Sequence, residues 1–389
     1  MKTRLWLAAT LCGIATSAYS LTIQPTFDSS ITGDPNGAAM MTAINAAIQV
    51  LQSNLTDNVT VNITFVADEN VGLGQSSTYG GEYSYADFLA ALHNKSTSVN
   101  DALALGRLPN SPTDPVIGGT QIHLTTAQAR LLGLDGYNGQ DSTVSLKMSL
   151  MNLTRPPADP NKYDLQQVVE HEMDEVLGIS SGLPGTSVVW PVDLFRYTTN
   201  RVRTFTTTGD DAYFCVDGTN LLARYNMDPG GDYGDWWSTH YPTNWSPTTG
   251  LTLNYPQVQD AFSGPNTAKN LGVAELTALD VVGWTLATPV APLALTMVRT
   301  SANHYTISWP NSYTGYVLQE NTNLLDSTGW VDSSSGTANP AVLVSTTGQK
   351  FYRLFQRPNS IVLSAAPAPH PSTTIAHEAV TRVLRPRNP

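Results

Sequence analysis

Between Asp164 and Gly178 the chain reads Asp-Leu-Gln-Gln-Val-Val-Glu-His-Glu-Met-Asp-Glu-Val-Leu-Gly, and no other stretch joins helical periodicity to metal-binding side chains. At about 100° per residue, Leu165, Val168, Val169, Met173, Val176 and Leu177 share one broad apolar face. That spacing predicts a helix laid on a core, with Asp164 as N-cap and Gly178 as C-cap. Gln167, Glu170 and Asp174 are expected on a solvated face opposite. His171 and Glu175 are four residues apart and share a stripe between the two faces, with Glu172 at its apolar margin. An imidazole and a carboxylate one turn apart on a buried helix can offer two ligands to one cation.

The rest of the chain has to support that helix without covalent help. Lys2 and Arg4 precede an apolar run from Leu5 to Ala15, and Ala18-Tyr-Ser20 places small residues before a cleavage point, the pattern of a secretory signal peptide over 1–20. A secreted, extracellular location is therefore expected. Its removal takes away Cys12, which leaves Cys215 alone and no internal disulfide. Nothing near Cys215 would lower its pKa, so an inert buried thiol is expected. The formal charge is −11, which argues against nucleic acid or an anionic membrane surface as the main partner. No later run is long enough to span a bilayer.

Ahead of the helix, Met41, Ile44, Ile48 and Leu51 recur at helical spacing, and Val59 to Phe65 alternates strictly as a half-buried strand. Short helical patches follow near Ser84 to Leu92 and Thr125 to Leu132, and Val144 to Leu150 reads as a second strand. Beyond Gly178 the chain is loop-rich. It carries Pro191-Val-Asp-Leu-Phe-Arg-Tyr197 and Gly230-Gly-Asp-Tyr-Gly-Asp-Trp-Trp237, then a short final helix from Val273 to Asp280 that runs into Val-Val-Gly-Trp284.

His171-Glu172-Met173-Asp174-Glu175 is close to the zinc-peptidase pattern H-E-x-x-H, with Glu in place of the second His. With Leu177-Gly178 behind it and the phrases Asp-Leu-Phe-Arg-Tyr, Gly-Asp-Tyr-Gly-Asp-Trp and Glu-Leu-Thr-Ala-Leu-Asp-Val-Val-Gly-Trp downstream, the stretch from about Ile23 to Trp284 resembles secreted bacterial metzincin-like metalloproteases. The resemblance implies an α+β zincin fold and a catalytic Zn2+ held by His171 and Glu175. It also implies hydrolysis of peptide bonds in a protein or peptide substrate, with Glu172 as general base toward a metal-activated water. In that clan the third ligand lies three residues past the Gly, which here is Ser181, a poor zinc ligand. A carboxylate in place of imidazole also lowers the net charge of the site and its Lewis acidity.

Asp193, the nearest downstream carboxylate, is taken as the third ligand, against an ordinary role as a cap or turn residue. His240 is the alternative ligand, and Met227 the candidate for the methionine that metzincins place beneath the metal. Asp228, Asp232 and Asp235 offer hard oxygens suited to Ca2+, but they lack the EF-hand spacing, and a solvated turn is the simpler reading. Gly178-Ile-Ser-Ser-Gly182 fits G-x-S-x-G, yet it trails a helix instead of linking a strand to one, so a serine hydrolase is set aside.

A boundary falls at Ala287 to Pro292. After it, Leu293–Val298, His304–Trp309, Gly315–Gln319, Trp330-Val331, Ala341–Val344 and Lys350–Phe355 read as short strands of a small all-β sandwich. The module resembles the Ig- or fibronectin-like modules of bacterial exoenzymes and suits contact with an extracellular surface or glycan. From Pro358 the composition predicts a disordered tail. The expectation is a monomer with a signal peptide (1–20), a metzincin-like domain (21–288), a β-sandwich (289–357) and a tail (358–389). The rival expectation is a protease-like binding or adhesion protein without turnover.

Overall fold

Strand β2 (Thr60–Ala67) buries Val61, Ile63 and Phe65 on one face, as its alternation requires. It lies beside β1 (Thr22–Phe27), parallel and in register from Thr22↔Thr60 to Phe27↔Phe65. Parallel neighbours need a crossover. Here it holds the short α1 (Ser29–Thr32) and then α2 (Gly37–Asn54), whose Met40, Ala43, Ile44, Ala47, Ile48 and Leu51 are buried at i, i+3, i+4 spacing. The computed structural model describes residues 21–238, 257–287, 295–301, 304–310, 316–323, 326, 329–344, 349–356 and 380–386. The signal segment, Cys12, His240 and the Thr288–Pro292 boundary fall outside these residues.

The chain continues through β3 (Gly74–Thr78), β4 (Gly80–Ser84), α3 (Tyr85–Lys95), α4 (Val99–Leu105), β5 (Gln121–Thr125), α5 (Thr126–Leu131) and β6 (Ser142–Leu146). Ser84 and Thr125 cap α3 and α5 by accepting from Asp87 N and Gln128 N. β6 stops short of the expected end at Leu150, because Met148–Leu150 closes a 3₁₀ turn. After the short pair β7 (Met151–Asn152) and β8 (Tyr163–Asp164) comes α6 (Leu165–Val176). Then follow β9 (Arg196–Thr198), β10 (Ala212–Phe214), β11 (Ala223–Arg224), β12 (Phe262–Ser263) and α7 (Val273–Val281).

The main sheet therefore starts β1-β2-β6-β3, with β3 antiparallel to β6, and α6 packs on it beside α2. Asp164 caps α6 by accepting from Gln166 N. Gly178 turns the chain away at φ +114°, where an added Cβ would also lie 2.1 Å from Gln128 Nε2, so glycine is required there.

The face of α6 expected to be solvated is buried. Gln167, Glu170 and Asp174 are all under 5% exposed. Residues 263–275 fold over them: Lys269 N and Thr267 Oγ1 donate to Gln167, and Leu271 N donates to Glu170. At Gln167 and Glu170 polarity serves tertiary hydrogen bonding, not solvation, whereas both Asp174 carboxylate oxygens are buried without a hydrogen-bond partner. Trp284 ends the domain by donating from its indole to Leu177 O at 2.8 Å, which ties the last segment to the end of α6.

Helix α7 is tied to α4 through Asp280, whose carboxylate accepts from Ser98 Oγ (2.8 Å) and Asn100 Nδ2 (3.3 Å). Burial, with Asp101 adding like charge, pushes the Asp280 carboxyl up to about 6. A raised carboxyl pKa favours the folded state most below its unfolded value and loses that contribution as pH rises through the folded one. Between about pH 4 and pH 6 this group should therefore remove up to about 3 kcal/mol. Urea melts at both pH values should show that part of the loss missing in Asp280→Asn.

Beyond the linker, β13 (Thr296–Ser301), β14 (His304–Ser308) and β17 (Ala341–Val344) form one sheet. β15 (Tyr316–Asn321), β16 (Val331–Asp332) and β18 (Phe351–Gln356) form another. The six strands overlap the turn-bounded runs, with β13 extending past Val298 to Ser301 and β15 past Gln319 to Asn321. The tail differs from expectation: β19 (Val380–Pro386) joins the main sheet between β3 and β12, so this part of it is ordered by pairing. Among the described residues no helix is long and apolar enough to cross a membrane.

Candidate metal centre

Helix α6 turns His171 and Glu175 toward a point that a third side chain reaches from the loop before β12. That side chain is Asp235. His171 Nε2 lies 3.7 Å from Glu175 Oε1 and 3.8 Å from Asp235 Oδ2, and the three atoms sit within 4.8 Å of one another. These separations are too long for hydrogen bonds and suit a shared ion with ligand bonds of about 2.0–2.2 Å. The loop reaches this point because Gly234 presses on the chain after α6, where an added Cβ would stand 2.7 Å from Ser181 N. Trp236, fully buried, anchors the same loop by hydrogen bonding to Glu275.

Each ligand is held from behind. His171 Nδ1 donates to Val258 O at 2.9 Å, which leaves the lone pair on Nε2. Ser76 Oγ of β3 donates to Glu175 Oε2 at 2.5 Å, and Gln259 Nε2 donates to Asp235 Oδ1 at 2.9 Å. The opposite atoms, Nε2, Oε1 and Oδ2, are buried and have no hydrogen-bond partner. Three ligand atoms without partners that lie together, with their other ends fixed, could hold a divalent cation. One nitrogen and two carboxylate oxygens are an acceptable zinc set, harder than an all-imidazole one.

The charges agree with the geometry. Burial alone would push the His171 imidazole down, but the carboxylates of Asp235 and Glu175 outweigh it and hold the ring well above its ordinary range. Burial raises the carboxyls of Asp235 and Glu175. Burying these groups together is costly, and a bound cation would offset that cost.

Glu172 stands next to this group with both carboxylate oxygens buried and unpartnered. Burial, then the charge of Glu175, raises it well above the ordinary carboxylate range. It rests on the backbone of β3, where a Cβ at Gly74 would lie 2.3 Å from Glu172 Oε1. Gly74→Ala must push the carboxylate aside, so if the site is catalytic, turnover should fall at least about ten-fold with metal content unchanged. Paired activity and metal assays on the purified variant would check this.

Asp193 does not join the group, which corrects its assignment as third ligand. Its carboxylate accepts from Ser181 Oγ (2.6 Å), Gly182 N (2.9 Å) and Trp190 N (2.9 Å), so both oxygens are spent on holding the loop after α6. Ser181 is likewise a partner of Asp193. The calcium reading also changes. Asp235 faces His171, Asp228 accepts from Gly230 N, and Asp232 faces Arg382. Among the described residues, no other group of three His, Cys, Asp or Glu side chains converges in this way. Met227 Sδ accepts from Arg196 at 3.2 Å. Cys215 is buried, and burial pushes its thiol up to about 12, so it is no nucleophile.

In the sequence Asp235 stands out only as one of three hard-oxygen candidates for Ca2+ with Asp228 and Asp232, within Gly-Asp-Tyr-Gly-Asp-Trp; nothing in its spacing sets it apart as the partner of His171 and Glu175. No protein-family model, curated protein or solved structure shows significant similarity to this chain.

Proposed function

We propose that the chain is a zinc-dependent endopeptidase of metzincin-like type, exported from the cell, with a metal site of His171, Glu175 and Asp235. The observation that carries this reading is the unpartnered Glu172 carboxylate beside three unpartnered ligand atoms, all of them buried. A bound ion would supply Lewis acidity toward a scissile carbonyl and acidify water. Glu172 takes the proton from the attacking water and returns it to the leaving amine, which needs an ionised carboxylate, the form that the charge of a bound cation would favour. Val258, Ser76 and Gln259 keep the ligands oriented throughout.

The site residues are nearly closed to solvent, at 0% for His171 and Glu172, 2% for Glu175 and 1% for Asp235. That closure favours a second reading, a metal-containing binding protein with no turnover whose β module holds an extracellular surface or glycan. Elemental analysis of the purified chain and a casein assay before and after chelation separate the two. One divalent ion per chain, with cleavage lost on chelation and regained with Zn2+, supports the peptidase. Metal without cleavage supports the binding protein, and absence of metal sinks both.

A further inference from the structure

The main sheet is finished by a strand that does not belong to the segment building it. Its other strands lie between Thr22 and Ser263, whereas β19 returns after the whole β module to lie between β3 and β12. It runs antiparallel to β3, from Val380↔Thr78 to Leu384↔Gly74, and Leu73 N donates to Leu384 O at 2.7 Å. On its far side, among the described residues, Phe262 and Ser263 pair with Arg385 and Pro386.

The strand crosses the metal centre. Arg382 stands opposite Ser76, whose hydroxyl holds Glu175, and Leu384 stands opposite Gly74, against which Glu172 rests. Both Arg382 and Leu384 are buried. The Arg382 guanidinium enters a pocket made by the loop after α6 and the loop that carries Asp232. It donates to Ser181 O, faces Asp232 Oδ1 at 3.4 Å and lies over the Trp190 ring, 5.2 Å from its centroid. A carbonyl, a carboxylate and an aromatic face are the groups that recognise a flat cation, and an open strand edge recognises an extended backbone.

We propose that the slot between β3 and β12 is a peptide-binding groove for extended segments carrying arginine at the place of Arg382, and that residues 380–386 fill it as an internal competitor. As a statement about substrate, this rests on the peptidase reading; as a statement about binding, it does not. The closed form is then latent, and its acid and metal ligands open to a substrate only when β19 leaves.

The test uses the full chain and a fluorescein-labelled peptide, Val-Thr-Arg-Val-Leu-Arg-Pro, followed by anisotropy. Arg382→Glu should loosen the internal strand, so that this variant binds the peptide at least ten-fold tighter than the unaltered chain. A peptide with glutamate in place of its first arginine should bind the variant at least ten-fold more weakly. Equal binding by the two chains, or equal binding of the two peptides, overturns the proposal. Hydrogen exchange on the unaltered chain guards against a variant that does not fold. Amides of 380–384 should exchange at least ten-fold faster than those of Val61–Phe65, and equal protection would make β19 a fixed core strand and overturn the groove. Peptide binding by Arg382→Glu without any casein cleavage by that same variant leaves the groove standing and removes the peptidase. Casein cleavage without peptide binding does the reverse.

Discussion

On the peptidase reading, Glu172→Gln is expected to lower kcat for casein by about 10²–10⁴-fold without changing metal content. The carboxylate lies beside the ligand group but outside it, with both oxygens unpartnered, so the amide fits the same space. What the amide cannot do is accept a proton from water. Elemental analysis and melting of the variant should match the unaltered protein, so the loss belongs to chemistry and not to folding. Full activity in this variant would remove Glu172 from the reaction, and loss of metal would show that it is a ligand instead.

The second large effect contrasts two aspartates. Asp235→Asn should weaken metal binding by about 100-fold or more, since the charged oxygen facing His171 Nε2 is lost from a three-ligand set. Asp193→Asn should leave metal binding intact and instead cost about 1–3 kcal/mol of stability, because Ser181, Gly182 and Trp190 share one buried acceptor group. Competition with a metallochromic chelator reads the first effect, and urea denaturation the second. If the two variants exchange these phenotypes, the ligand assignment is wrong.

Much of the support was legible because it is periodic. The α6 stripe, the alternation of Val61, Ile63 and Phe65 and the six short strands after the linker each follow from side-chain spacing within one element. What failed was whatever depends on a distant segment. Gln167 and Glu170 look like a wet face until residues 267–271 bring backbone amides to them. Asp193 was the nearest carboxylate along the chain, but nearness in sequence says nothing about which turn uses its acid as a cap. Asp235 lies in an irregular loop with two other aspartates, and only the close approach at Gly234 selects it. β19 has no alternation of its own, because its order comes from the edge of β3.

The position of Asp235 has a mechanical consequence. Its carboxylate comes from a loop, while its two partners are on a helix some sixty residues earlier. In a chain whose described cysteine is free, an ion bridging them would do the work of a cross-link, shortening the open path between α6 and β12. Loading and unloading that ion would then set how firmly the far half of the domain is fastened to the near half, independently of any chemistry performed there.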